Sequence, residues 1–221
     1  MSRRGRPSGT RAGSIPGDIS FSRREVRDLL IAWLALGVAF MFFRERAVLA
    51  GIAGGTITLV PLVRSLGLSL ATVGVAFLLH ELAHKVVAIR FGQQAAFRAD
   101  YGMLFLAVMG GLAGFLFAAP GAVVHRGRIT PRENGLIAVA GPITNVALGL
   151  LFAPLLLVDG FVAELGTLGV SINFLLAGFN MIPYGPLDGR TVFDWDVKIY
   201  AAVAIPCVML ALTALLWIGL G

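Results

Sequence analysis

Cysteine, histidine and charged residues are scarce in this sequence. Among 221 residues there are 1 cysteine and 3 histidines, and only 14% of the residues are charged. The single cysteine, Cys207, excludes an intramolecular disulfide and a cysteine-based metal site, and its place in an apolar run predicts a small core residue. The shortage of charge excludes an ordinary soluble domain, because 57% of the residues are hydrophobic and the mean hydropathy is +0.87. We therefore expect an integral membrane protein.

Several other sequence patterns are missing. No heptad or solenoid period occurs, and the Gly-x-Gly spacings lack the strand and helix context of a nucleotide-binding loop. The net charge of +6 is concentrated at the N-terminus and in short loops, where membrane proteins carry their topology signals. We therefore expect no nucleic-acid partner. No loop or terminus is long enough to build a soluble core, so residues 29–221 are expected to form a single transmembrane domain.

The first 28 residues form a basic segment without apolar periodicity before Phe21. This composition predicts a flexible tail, and its positive charge places the tail on the cytoplasmic side. A basic stretch before an apolar one also resembles a secretory signal. No small-x-small cleavage site follows the run 29–43, however, so we interpret that run as an uncleaved anchor.

Apolar runs predict an all-α polytopic membrane protein with six or seven transmembrane helices. The first two runs are short for a span of about 20 residues, so they form either a tight hairpin or one crossing plus an interfacial segment. The Gly-rich run 101–124 is either a loosened helix or a re-entrant segment. Its flanks, 97–100 and 122–130, predict short strands, and so a small membrane-associated β element near 97–130. The runs are 29–43, 47–63, 68–89, 101–124, 136–158, 165–182 and 201–220.

The loops on either side of the run 165–182 differ in charge. The loop before it carries Asp159 and Glu164 and no basic residue, whereas Arg190 and Lys198 follow it. Because basic loops stay in the cytoplasm, the loop that contains Asp188 is expected on the cytoplasmic side.

The motif around which the chain is organised is His80-Glu81-Leu82-Ala83-His84. Residues four apart share one face of a helix, so the two imidazoles can bind one metal ion while Glu81 serves as a base. The alternative is a solvated helix on which Glu81 pairs with Lys85 at i,i+4. Apolar sequence on both sides favours the metal site, because ionisable groups in a membrane are costly and usually functional.

A catalytic zinc ion needs a third protein ligand. His125 is the only other histidine, but it lies in a polar loop with Arg126 and Arg128, which favours a solvated or interfacial role. Asp188 lies in Pro186-Leu187-Asp188-Gly189, an irregular segment that membrane proteins tolerate only against protein or a cavity. The same four residues also favour an ordinary turn, and spacing alone leaves the two interpretations nearly even.

Three motifs together resemble the site-2 protease family of intramembrane zinc metalloproteases. They are the histidine motif, the later run Asn180-x-x-Pro183-x-x-Pro186-Leu-Asp-Gly, and Gly141-Pro142-x-x-Asn145 between them. The resemblance covers a core of residues 68–189 and is nearest to the short prokaryotic and archaeal type without a PDZ domain. It implies that His80, His84 and Asp188 hold zinc and that Glu81 is the general base. It also implies that Asn145 and Asn180 support the site, with Asn173 a weaker candidate.

From this resemblance we expect a multi-pass cell-membrane enzyme with one zinc ion per chain. It would contact membrane lipid and hydrolyse peptide bonds in or near transmembrane segments of substrate proteins, as in regulated intramembrane proteolysis. The predicted strands would hold an unwound substrate by edge pairing. The alternatives are a membrane metal-ion transporter, although three histidines are few for one, and a catalytically silent relative that binds membrane proteins.

Overall fold

The computed structural model describes residues 19–55, 59–115 and 120–218. Short π-helical or 3₁₀ segments, Leu70–Gly74, Ala153–Leu157 and Ala214–Ile218, continue three of the α-helices. The predicted helical protein with a small β element is therefore confirmed. Its elements are α1 Arg23–Arg44, α2 Arg46–Ala53, α3 Leu59–Ser69, α4 Val75–Arg90, β1 Gln94–Ala99, α5 Tyr101–Ala113, β2 Gly121–Arg126, α6 Pro131–Phe152, α7 Gly160–Asn180, α8 Asp188–Trp195 and α9 Val197–Thr213.

Within these ranges, five helices are long and apolar enough to cross a membrane, fewer than the six or seven expected. The run 47–63 is divided between α2 and the start of α3, and α3, the π-helical turn and α4 form one continuous helix of 32 residues that contains the whole run 68–89. The helix among the described residues of the run 101–124 is the 13-residue α5, which is shorter than a straight crossing requires. The five are Arg23–Arg44, Leu59–Arg90, Pro131–Leu157, Gly160–Asn180 and Val197–Leu216.

The first helix begins earlier than the hydropathy suggested. Ser22 caps α1, since its Oγ accepts the N–H of Glu25 at 3.1 Å, which satisfies one of the free donors of a helix N-terminus. Glu25 and Asp28 are each 1% exposed. Residues 23–28, predicted as part of the flexible tail, are thus helical, with two buried carboxylates, while residues 1–18 of that tail lie outside the described ranges.

The two strands pair in antiparallel fashion, with Phe97 opposite Val123. The predicted β element near 97–130 is therefore present, although β1 begins at Gln94, before its predicted start. Phe97 is 1% exposed, and its ring packs edge-on against Phe77 of α4 with centroids 5.7 Å apart. This contact fixes the sheet against the helix that carries the histidine motif.

Helix α5 connects the strands and lies against α1. Asp100 caps its start by accepting the N–H of Met103 at 3.0 Å. It ends at Gly114, whose φ of +87° is in the left-handed region that favours glycine. The Tyr101 hydroxyl donates to Asp28 of α1 at 2.7 Å. The described residues of the Gly-rich run thus form a short helix packed on α1, followed by the start of β2. The two forms left open for the run stay predictions.

Helices α6 and α7 pack closely against each other in the middle of the bundle. Gly149 faces the ring of Phe174, and Gly169 faces the ring of Phe152, so each helix presents a glycine to an aromatic side chain of the other. Small residues of this kind allow helix backbones to approach in membranes. Helix α6 also packs on α4, which brings the segment 140–145 against the histidine motif.

The bundle has two chemically different ends. At one end, the hydroxyl of Tyr200, near the start of α9, donates to the carbonyl of Met181, just past α7, at 3.1 Å. At the other end Arg44 pairs with Glu164 at 2.7 Å, and Arg64 pairs with the second oxygen of the same carboxylate. The sheet and α8 lie at the first end, which we call the site end.

Candidate metal centre

Three side chains converge where α4 meets the start of α8. The Nε2 atoms of His80 and His84 lie 3.0 Å apart, and Oδ2 of Asp188 lies 3.2 Å from the first and 3.3 Å from the second. Both histidines are buried, at 5% and 8% exposure. The helix brings the imidazoles together by its i,i+4 spacing, and the bend of the chain before α8 adds the carboxylate.

The second nitrogen of each imidazole has a hydrogen-bond acceptor. His80 Nδ1 lies 2.5 Å from Oδ1 of Asn145, and His84 Nδ1 lies 2.7 Å from the carbonyl oxygen of Ile137. Each acceptor requires the hydrogen to be on Nδ1, which leaves the lone pair on Nε2. The two lone pairs therefore face the same point, as they do when histidines bind a metal.

The donor set fits zinc. Oδ2 of Asp188 is buried without a hydrogen-bond partner, which is costly unless a cation takes it up. A Cβ at Gly141 would lie 2.5 Å from Nε2 of both His80 and His84, so the glycine leaves open the space beside the ligand atoms. In a tetrahedral site with zinc bonds of about 2.0 to 2.1 Å, ligand atoms are about 3.3 Å apart. The three observed separations are close to that value.

Asp188 completes a group of one carboxylate and two imidazoles. A carboxylate and two neutral imidazoles are a common ligand set for catalytic zinc, with the fourth position free for water.

Glu81 points toward the sheet. Its Oε2 accepts the backbone N–H of Val123 in β2 at 2.9 Å, and the side chain is 7% exposed. Lys85 is fully buried, and its Nζ contacts Glu25 at 2.6 Å. The alternative of a solvated helix with a Glu81–Lys85 surface pair therefore does not describe this helix.

The three asparagines singled out in the sequence differ in their connection to the centre. Asn145 is fully buried and donates to the carbonyl of Ala76 at 3.2 Å and to Oδ1 of Asn173 at 2.9 Å. These two donations leave its Oδ1 free to accept from His80 and so fix the amide orientation. Asn173 thus supports the centre through Asn145. Asn180 instead donates to the carbonyl of Leu176 of its own helix at 3.0 Å, and its supporting role stays a prediction.

His125 is not part of the group of ligand atoms found in the described residues, which consists of His80, His84 and Asp188. It lies in β2 opposite Ala95. Two groups that contact site residues could not be predicted from the sequence because they are backbone groups. They are the carbonyl of Ile137, which contacts His84, and the N–H of Val123, which contacts Glu81. Gly141 was visible as part of the Gly-Pro-x-x-Asn motif, but its proximity to the ligand atoms depends on how α6 packs.

Comparison with known proteins supplies relatives of this chain. It is 38% identical over 203 residues to "Putative zinc metalloprotease MJ0611" of Methanocaldococcus jannaschii, and the aligned region covers 89% of this chain and 97% of the relative. It is 31% identical over 148 residues to "Putative zinc metalloprotease YwhC" of Bacillus subtilis, and the aligned region covers 56% of this chain and 66% of the relative. No protein-family model and no solved structure matches the chain. Since the first match spans nearly the whole of both proteins, the chain belongs to this zinc metalloprotease family.

Proposed function

We propose that this protein is an intramembrane zinc endopeptidase of the site-2 protease type, which hydrolyses peptide bonds in or near transmembrane segments of other proteins. The observation that carries the proposal is that Asp188 converges with His80 and His84. The two histidines and Glu81 lie in a helix that is apolar and long enough to cross a membrane. Buried ionisable groups in such a helix mark functional sites because they are costly to place there.

The roles of the residues follow from their positions. His80, His84 and Asp188 would hold the metal, with Asn145 and the Ile137 carbonyl orienting the two imidazoles. When bound, zinc supplies Lewis-acid activation of water and of the peptide carbonyl. Glu81 accepts the proton of the attacking water and then donates it to the amine that leaves.

The substrate must present an extended backbone to this centre. Peptide carbonyls within a helix are already bonded and shielded, so a transmembrane substrate has to unwind locally. In the sheet, the N–H of Val123 points away from β1 toward Glu81. The outer edge of β2 thus runs past the catalytic carboxylate. Pairing of the unwound segment with that edge would hold it extended beside Glu81.

The charge distribution supports a cytoplasmic site end. Loops that stay in the cytoplasm carry an excess of Lys and Arg. Three basic residues of the described ranges lie at the end opposite the centre, Arg44, Arg46 and Arg64, of which two are paired with Glu164. The site end of the described chain carries Arg23, Arg24, Arg27, Arg90, Arg98, Arg126, Arg128, Arg132, Arg190 and Lys198. The exposed apolar faces of the spanning helices would contact lipid.

The test of the function is Glu81→Gln. Purified parental protein loaded with zinc should cleave a model transmembrane substrate in lipid vesicles, and the variant should lose cleavage while it keeps one zinc per chain, because Glu81 transfers protons and is not a ligand. Asp194→Asn is the control, since that carboxylate is 52% exposed and pairs with Arg190. Near-normal cleavage by Glu81→Gln would refute the assignment, and zinc uptake into vesicles without cleavage would favour a transporter.

A further inference from the structure

A buried ion pair next to the metal centre has no role in the chemistry above. The side chain of Lys85, the residue after the second histidine, has no exposed surface, and that of Glu25 is 2% exposed. Lys85 Nζ donates to Oε1 of Glu25 and to the carbonyl of Ser20, both at 2.6 Å, and lies 3.6 Å from the ring centroid of Phe21. A buried pair is weak evidence for stability by itself, because desolvation offsets the attraction.

The same Glu25 oxygen also holds the sheet. It accepts the backbone N–H of Phe97 in β1 at 3.1 Å. Phe97 lies opposite Val123, whose own N–H donates to Glu81 at 2.9 Å. Both N–H groups point away from the sheet, as they do in a non-hydrogen-bonded antiparallel pair. One pair of residues is therefore held from both outer edges of the sheet, by Glu25 at β1 and by Glu81 at β2.

These two anchors differ once a substrate is bound. Glu81 is needed as the base, and a peptide that pairs with β2 offers its own carbonyl to the N–H of Val123. A two-stranded sheet by itself is marginally stable in water. In the substrate complex, the fixed polar anchor that remains on this pair of residues is therefore Glu25, on the edge away from the centre.

We propose that Glu25, oriented by Lys85, is a positioning residue that fixes the sheet for substrate pairing through the N–H of Phe97. The inference rests on the proposed protease function, with the edge of β2 as the docking site. Glu25 acts through β1 and contacts neither the ligand atoms nor Glu81. Its removal should weaken substrate binding and leave zinc binding unchanged.

Two double variants separate the effect of the acceptor oxygen of Glu25 from the effect of its charge. Glu25→Met with Lys85→Met removes both charges and the acceptor, and apolar replacement of a buried pair is often tolerated. Glu25→Gln with Lys85→Met also removes both charges but keeps an oxygen that can accept from Phe97. For a model transmembrane substrate in vesicles, we expect KM to rise about five- to tenfold in the first variant and to stay within about twofold of the parent in the second. We expect kcat and zinc content to stay near parental values in both.

Ser69→Ala is the control. Ser69 is fully buried, but its hydroxyl donates to the carbonyl of Ser65 in its own helix and not to the sheet, so KM should not change. Amide hydrogen exchange of Phe97 gives a readout that needs no activity. Exchange should accelerate in the Met double variant and remain protected in the Gln double variant and in Ser69→Ala.

Equal KM values in the two double variants would overturn the proposal, since the acceptor would then be irrelevant. A joint fall of kcat and zinc content in the Met variant would also overturn it, because the pair would then support the metal centre. If the parent cleaves no peptide at all, the proposed function fails separately. Equal exchange of the Phe97 amide in the two double variants would show, even then, that Glu25 does not anchor the strand.

Discussion

Asp188 provides the carboxylate oxygen that faces both histidine nitrogens, and that oxygen is buried without a hydrogen-bond partner. Asp188→Asn keeps the size and turn preference of the residue but removes its charge. A ligand should not tolerate this change, so we expect zinc affinity to fall by at least about a hundredfold and cleavage to fall with it. Metal analysis and cleavage assays measure both. Asp194→Asn, in the same helix, is the control. Parental zinc affinity in Asp188→Asn would show that the ligand assignment is wrong.

Gly141 matters because it carries no side chain. Its Cβ would lie 2.5 Å from both ligand nitrogens, closer than non-bonded atoms approach. Gly141→Ala should therefore bar zinc from the centre while the protein remains folded in detergent, as measured by zinc content and thermal unfolding. Gly67→Ala is the comparison, since a Cβ at Gly67 meets no atom within 4 Å. If Gly141→Ala bound a full equivalent of zinc, the metal would not lie where the three ligand atoms converge.

At the scale of elements, the segment 94–126 shows what hydropathy misses. Its apolar run predicts a loosened helix or a re-entrant segment. Among the described residues of the segment, 13 are helical, and two strands flank them. The helix stops at Gly114 because the backbone turns left-handed there. The chain then returns along β1, so the outer edge of β2 reaches Glu81. Neither the return of the chain along β1 nor the register of the two strands can be predicted from apolar content, since both depend on pairing between distant residues.

The contact between α5 and α1 gives an element-scale prediction. A Cβ at Gly111 would lie 2.1 Å from the carbonyl oxygen of Ala39, and backbone cannot yield as a flexible side chain can. Gly111→Ala should push the helices apart and destabilise the protein by about 1 to 3 kcal/mol. Gly102→Ala, at an open position of the same helix, should be neutral or stabilising, because alanine favours helix over glycine. Denaturant unfolding in detergent measures both. Equal stability of the two variants would contradict this packing.

At the scale of the whole molecule, the charge asymmetry predicts that the site end faces the cytoplasm. Tyr184 is 79% exposed at that end, and Asp159 is exposed near the other. The native Cys207 is 2% exposed, so background labelling should be low. A membrane-impermeant maleimide should label Tyr184→Cys only in inside-out vesicles and Asp159→Cys only in right-side-out vesicles. The reverse pattern would place the metal centre on the outer side.

The sequence alone determined the membrane class, the helical architecture and the identity of the candidate ligands. It could do so because hydropathy is a local property and because the i,i+4 spacing of His80 and His84 fixes their shared face within one helix. For Asp188, spacing left a turn and a ligand nearly even, and only the resemblance to a family favoured the ligand.

The tertiary structure decided what depends on packing between distant segments. It joined the end of the run 47–63 to the run 68–89 in one 32-residue helix, placed Asp188 beside the histidines, and made Asn173 rather than Asn180 the partner of Asn145. It also placed Lys85 against Glu25 instead of Glu81. Each of these outcomes depends on which faces of separate elements meet. A single sequence does not determine those faces, because many pairings bury similar apolar area.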